Sequence, residues 1–388
     1  MTLGRNMDSP VGRRPTRHIS TRRKVTFAAV LVVLAGLSCE GAVRVRAWIK
    51  YGTSSSSISD GLLVRDPATG LLIPRAGYNQ QSRNISFSIN SLGFRGDEIA
   101  QQKPANTVRI ACLGASTTFS TEASNNHATW PAQLQAALEH EYPAVAFEVI
   151  NAAVPGYVIT ENLINLRHRV LPLDPDLVIY YEANNDMALD TRELARREGV
   201  IGKTGSYISP TTRWLSEHSL LIDLVHKNSK ILFAKDTDSV GKLTHVPKDL
   251  PNRFENELGH LDAELRGKGI PLLLSTFVVK YRRDQPRATQ MANANLSFYY
   301  MPWMTIDSLL DAMDYYNDAI LQYAHAHHVP VVDDRTMIPP DAEHFVDWAH
   351  TTDAGSAVQA ERFRRYLVTS GMIRQIIDHR KGVALGGI

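Results

Sequence analysis

The chain of 388 residues carries 42 Lys and Arg against 40 Asp and Glu, a formal charge of +2, with 44% hydrophobic and 21% charged residues. These are globular proportions, and they exclude a collagen-like, low-complexity or largely disordered chain. Two cysteines, Cys39 and Cys112, exclude a disulfide scaffold and a Cys-rich zinc site.

The charge is unevenly spread. Residues 1–50 hold ten Lys/Arg and two Asp/Glu, which leaves a net −6 for the rest. A mildly acidic body does not suit nucleic acid as a partner, because phosphate binding needs a basic face. Arg13, Arg14, Arg17, Arg22, Arg23 and Lys24 precede an uncharged run to Cys39. Beyond Glu40 the apolar character resumes to Val43, and Arg44, Arg46, Trp48 and Lys50 follow. Residues 25–43 are about long enough to span a thin bilayer, and Lys, Arg and Trp suit its ends. The heavier basic load before the span predicts a cytoplasmic tail (1–24), a single-pass anchor (25–43) in the inner membrane, and a body facing the periplasm or cell exterior. The rival reading is a cleaved signal peptide, with Gly36 and Ser38 before Cys39. A lipoprotein Cys39 fits less well, since Gly36 stands where a larger aliphatic residue is usual.

A polar linker follows at residues 54–57, and residues 44–100 as a whole read as a linker and β-rich extension. Within it Ile85, Phe87 and Ile89 alternate with Ser86 and Ser88, as in a half-buried strand. From residue 107 the rhythm becomes strand–helix. Strands are expected at 108–113, 147–150, 177–181, 271–279 and 329–332, and helices at 130–141, 161–171 and 352–369. Ile306, Leu309, Leu310, Met313, Ile320 and Tyr323 add a helical stripe. The alternation predicts an α/β domain over 101–375 with a mainly parallel central sheet covered by helices on both faces, and a tail at 376–388. Residues 188–250 are too long for a simple loop and read as a cap with short helices at 214–225 and 231–233. Residues 280–305 are a second insertion, with Arg282, Arg283, Arg287, Phe298, Tyr299, Tyr300 and Trp303. These aromatics read first as cap packing, with a sugar-stacking surface as the alternative.

In open α/β sheets ligands sit at the carboxyl ends of the strands. The first strand ends in Gly114-Ala115-Ser116, where Gly permits a tight turn and Ser can serve as a nucleophile with its own N–H facing an oxyanion. The second ends in Pro155-Gly156, where a backbone N–H can approach a bound group. After the third come Asn184-Asn185-Asp186, and an Asn amide there can donate to an oxyanion. Asp347 and His350 share one turn near the C-terminus, as a base and its orienting carboxylate would. Taken singly, each block also suits an ordinary turn. His325, His327 and His328 end a helix, where cations suit the dipole, and no metal site is expected among them.

Together, Gly114-x-Ser116, Gly156, Asn185-Asp186 and Asp347-x-x-His350 occur in the order used by SGNH (GDSL-like) hydrolases, and the chain resembles that family over about residues 90–370. The N-terminal anchor, the run Asn90-Ser91-Leu92-Gly93-Phe94-Arg95-Gly96 and the pair Tyr316-Asn317 are similar to membrane-anchored bacterial members. The resemblance implies a three-layer α/β/α fold of SGNH/flavodoxin type. It implies Ser116 as nucleophile, His350 as base and Asp347 as its partner, with Ser116 N–H, Gly156 N–H and the Asn185 side chain as the oxyanion hole. Ala115 and Ala183 depart from the family pattern. Neither change removes a catalytic group, although Ala183 could shift the Asn185 loop. The implied activity is a serine esterase acting without metal or organic cofactor on an acylated carbohydrate, such as an O-acetylated cell-envelope or secreted polysaccharide, or on another small ester. An O-acyltransferase with the same triad and a non-catalytic carbohydrate-binding protein remain alternatives, and no protein partner is named by the sequence.

Overall fold

The computed structural model describes residues 20–51, 61–82, 84–202, 219–222, 224–225, 241–333 and 335–386. A long helix, α1 (Thr21–Tyr51), begins the described chain. Its stretch Thr21–Ile49 is long and apolar enough to cross a membrane; the apolar residues from Val25 to Leu37 are exposed, whereas Ala47 near its end is buried. Glu40 accepts hydrogen bonds from Ser219 Oγ (2.8 Å) and from the N–H groups of Leu220 (3.1 Å) and Leu221 (2.9 Å), so the first insertion reaches this helix. Of the predicted helix at 214–225 only the end is described, and it is helical at 220–222. The predicted linker at 54–57 and the predicted segment at 231–233, like Arg13, Arg14 and Arg17, lie outside the described residues.

The extension forms two small antiparallel hairpins, β1 (Leu63–Arg65) with β2 (Leu72–Pro74) and β3 (Asn79–Gln81) with β4 (Ser86–Ser88). The alternation around β4 is real, since Phe87 and Ile89 are buried. They pack with Leu62, Phe119 and Ala153 in an apolar cluster separate from the main core.

The central sheet holds β5 (Thr107–Gly114), β6 (Ala146–Asn151), β7 (Leu177–Tyr181), β8 (Leu272–Ser275) and β9 (Val331–Val332) in the order β6-β5-β7-β8-β9. Every pairing is parallel. Read along the chain this is the 2-1-3-4-5 order of flavodoxin-type sheets, whose ligand crevice opens where the order reverses, beside the first strand. Every residue of β5 is buried, as expected of a strand covered on both faces. Two strands are shorter than predicted. The run 271–279 leaves the sheet after Ser275. Beyond it Asn317 holds the Phe277 backbone, accepting its N–H at 2.6 Å and donating to its carbonyl at 3.0 Å. The run 329–332 pairs only at Val331–Val332, since Pro330 has no N–H to give.

The helices that matter here are α2 (Ser116–Phe119), α3 (Trp130–Glu141), α4 (Ile159–Asn165), α5 (Asn184–Arg197), α6 (Asn252–Arg266), α7 (Ile306–His327), α8 (Asp353–Thr369) and α9 (Met372–Gly386). The predicted helix at 161–171 is regular only to Asn165, after which the backbone widens over Leu166–Val170. The predicted tail at 376–388 is instead largely helix α9, whose Ile373 and Ile377, four apart, are buried. Adjacent residues of β7 face opposite layers. Tyr181 meets Trp130 and Phe363 of α3 and α8, and Tyr180 meets Phe254 of α6. Truncating a ring such as Phe254 or Phe363 to Ala should cost roughly 3–5 kcal/mol.

Candidate active site

Ser116 is the first residue of α2, separated from the end of β5 only by Ala115. Gly114 makes that placement possible, because a Cβ there would lie 2.4 Å from both Thr118 Oγ1 and the Tyr181 carbonyl. Those two atoms are themselves joined by a 2.8 Å hydrogen bond that ties the turn to β7. Asn162 Oδ1 accepts the Gly114 N–H at 3.1 Å.

Asp347 and His350 occupy the turn before α8. The Val346 N–H donates to the His350 carbonyl at 2.9 Å, and Thr352 caps α8 by accepting the Gly355 N–H. Asp347 Oδ1 accepts the N–H groups of Ala349 (2.9 Å) and His350 (2.8 Å), while Oδ2 meets His350 Nδ1 at 2.7 Å. The other ring nitrogen, Nε2, lies 2.8 Å from Ser116 Oγ. Residues 234 positions apart are thus joined in one hydrogen-bonded chain, carboxylate to imidazole to hydroxyl. Burial pulls the His350 pKa down, but the hydrogen bond and charge of Asp347, with Glu122 acting through space, outweigh it and raise the value above 6.5. For Asp347 burial pushes upward and is outweighed by His350 and the two N–H groups, which leave the carboxyl below its ordinary value.

Gly156 and Asn185 line the same cavity as Ser116. Gly156 has a φ of +88°, a backbone conformation that favours glycine. Asn185 Nδ2 spends one hydrogen on the Tyr157 carbonyl at 2.9 Å, which leaves a second on the same nitrogen. Its backbone N–H donates to Glu182 at 2.7 Å. Ala183 is fully buried as the residue preceding α5. Asn184 also lines the cavity, and its buried Oδ1 has no hydrogen-bond partner among the described residues. Behind the pair, Asp186 accepts the Ile159 N–H at 3.0 Å and pairs with Arg253 at 2.6 Å. Arg253 also holds Asp190, which Tyr316 meets at 2.5 Å. Asn317 therefore braces the backbone of Phe277, which lines the cavity, while Tyr316 supports the carboxylate of Asp190.

Several residues here escaped the sequence reading. Glu182, buried at the end of β7, is pushed up to about 8 by burial against the pull of the N–H groups of Asn185, Ala183 and Asn184. The sequence assigns Asn162 and Thr118 no role, and only their partners reveal it. Among the insertion aromatics, Phe298 and Trp303 are buried packing, whereas Tyr299 and Tyr300 line the cavity with Trp348. Arg283 and Arg287 are paired with aspartates of α7. Among the described residues no three His, Cys, Asp or Glu side chains converge to hold a metal ion, and His327 stacks on Tyr323 at 4.3 Å.

A profile of the GDSL-like lipase/acylhydrolase family matches residues 112–358, a span that begins in β5 and ends inside α8. The chain belongs to this family. Membership makes it a hydrolase of the ester-cleaving type. No curated protein matches the chain. Among solved structures it is similar to LAE5, an alpha/beta hydrolase from the metagenome of Lake Arreo, Spain, at 17% identity and TM-score 0.41, covering 67% of this chain and 94% of that one. It is also similar to Axe2, an acetylxylan esterase from Geobacillus stearothermophilus, at 17% identity and TM-score 0.41, covering 68% and 96%. The GDSL-like domain is thus preceded in this chain by the hairpin extension and by one apolar helix that fits a membrane anchor or a signal sequence.

Proposed function

We propose that the protein is a serine esterase that removes acyl groups, O-acetyl foremost, from a carbohydrate polymer outside the cytoplasm. The observation that carries this reading is the chain of 2.7 Å and 2.8 Å contacts from Asp347 through His350 to Ser116, opening on a cavity that Gly156 and Asn185 also line. Ser116 Oγ attacks the ester carbonyl and gives its proton to His350 Nε2, while the carbonyl electron pair moves onto oxygen. The N–H groups of Ser116 and Gly156 and the second Nδ2 hydrogen of Asn185 receive that oxyanion. Collapse breaks the bond to the sugar oxygen, which takes the proton from His350. Water then adds to the acyl-enzyme through the same base and releases the acid. Asp347 holds the imidazole with Nδ1 protonated throughout.

A sugar substrate is supported by the cavity itself. It measures about 1080 Å³, far more than an acetyl group needs, and Tyr299, Tyr300 and Trp348 form one side of it. Tyr300 is 52% exposed and packs on Trp348 at 5.1 Å. Such faces stack on the apolar faces of sugars while their polar edges stay wet. The basic residues before the apolar span at 25–43 favour a cytoplasmic N-terminus and an exported body. The test is release of acetate from O-acetylated oligosaccharides, alongside labelling by a Ser-directed fluorophosphonate. Labelling of the wild type but not of Ser116→Ala, with acetate released, is expected. Absence of labelling in the wild type would overturn the nucleophile assignment, and labelling without acetate release would overturn the substrate.

A further inference from the structure

The run Asn90–Gly96 lies outside the matched family span and belongs to no step of the chemistry above, yet it places a cation in the interior. Arg95 is 3% exposed. Its guanidinium has five N–H donors, and all five have partners. Nε reaches Asn126 Oδ1 at 3.2 Å, one terminal nitrogen reaches the carbonyls of Phe119 (3.1 Å) and Ser120 (2.6 Å), and the other those of Ala123 (3.4 Å) and Asn125 (3.3 Å). Four of these partners are backbone carbonyls of the loop that leaves Ser116. Among the described residues no carboxylate touches the guanidinium, and Asp353 and Glu122 act on it only through space.

That loop needs an external hold. Helix α2 is a single turn of four residues, closed at Ser120 with a φ of +59°. A helix this short has almost no internal hydrogen bonds of its own, and its last carbonyls are orphans. Arg95 and Asn151 Nδ2 (3.2 Å) share the Phe119 carbonyl between them. The guanidinium also packs on two rings that meet edge to face, 4.7 Å from Phe87 of β4 and 5.2 Å from Phe119. Around it the extension grips the same loop again, through Ser86 N–H to the Ser124 carbonyl at 2.8 Å and Asn126 Nδ2 to the Ser88 carbonyl at 3.1 Å. On the far side Asp353, the first residue of α8, accepts the N–H and hydroxyl of Ser124 at 2.9 Å and 2.6 Å. The loop therefore bridges the turn of Ser116 and the helix that follows His350. Leu62, Ile85 and Phe87 of the extension reach the cavity wall as well.

We propose that the hairpin extension is part of the active site and that Arg95 is a positioning residue. By fastening the carbonyls after Ser116 it fixes the hydroxyl against His350 and the Ser116 N–H against the oxyanion. This rests on the reading of Ser116 as nucleophile. A lysine cannot replace it, because one ammonium offers a point charge in place of a planar five-donor fork.

The test uses the full-length chain in detergent, with active sites counted by fluorophosphonate titration and turnover of p-nitrophenyl acetate expressed per titrated site. Arg95→Ala should lower kcat per site about 10²-fold, the order expected when reacting groups are displaced by about 1 Å, with KM changed less. Millimolar guanidinium should restore part of that kcat. Arg95→Lys, which keeps the charge and stem and decides the matter if the alanine variant does not fold, should lose about tenfold per site. A purely structural role would reduce the titrated fraction and the melting temperature and leave kcat per site intact. Turnover of Arg95→Lys within threefold of wild type per site would overturn the proposal. A wild type that fails to label at Ser116 would overturn it together with the proposed function, so the two failures are distinguishable.

Discussion

Gly114→Ala is the sharpest test of how the fold aims Ser116. The added Cβ would sit 2.4 Å from Thr118 Oγ1 and 2.4 Å from the Tyr181 carbonyl, where ordinary contact begins near 3.4 Å. The deficit is about 1 Å on each side, and neither side yields easily. Tyr181 O belongs to a central strand, and Thr118 is fully buried and bonded to that same oxygen. Relief therefore comes from displacing the Ser116 turn by about 1 Å, which also strains the 2.8 Å contact with His350. Overpacking of this kind costs roughly 1–3 kcal/mol of stability, and misplacement of a reacting group by about 1 Å costs on the order of 10² in rate. Turnover of p-nitrophenyl acetate per fluorophosphonate-titrated site, with a thermal melt alongside, separates the two effects. A Gly114→Ala enzyme that turns over within threefold of wild type would refute the claim that this glycine sets the nucleophile's position.

Three further outcomes are expected. Asn185→Ala should lower kcat by about 10²–10³-fold through loss of an oxyanion donor, and Asn184→Ala much less; the reverse ranking in steady-state kinetics would transfer the role to Asn184. Because the base must be neutral to accept the Ser116 proton and Asp347 raises the His350 pKa, kcat/KM should rise with pH through a value above 6.5. Asp347→Asn should move that acid limb to lower pH while lowering kcat on the order of 10⁴, and an unmoved limb would show that another group controls it. An alkaline phosphatase fusion after residue 60 should be active in a bacterial host, because the Lys/Arg-rich flank before the apolar helix should stay in the cytoplasm; an inactive fusion would place the body inside and remove an envelope polysaccharide as substrate.

The clearest readings from sequence rest on local signals. Short apolar runs ended by Gly114, Pro155-Gly156 and Asn184-Asn185-Asp186 announce parallel strands and the edge where chemistry collects. Asp347 and His350 lie within one turn, so their pairing needs no knowledge of the rest of the chain. The same locality misled at Thr276–Val279, whose apolar residues continue a strand pattern although Asn317 draws the backbone away. It also misled at 376–388, where Ile377 pairs with Ile373, four residues earlier and before the predicted tail begins, to give helix α9 a buried edge. What only the tertiary structure decided is who answers each polar group. Arg95 reads as one more basic residue until the carbonyls after Ser116 close around it, and Glu182 and Asn162 until backbone N–H groups find them. Tyr299 and Tyr300 separate from Phe298 and Trp303 only when the insertion has folded over the cavity. Periodicity records which face of an element is apolar. A buried hydrogen bond is satisfied by atoms far along the chain, and that partner leaves no period in the sequence.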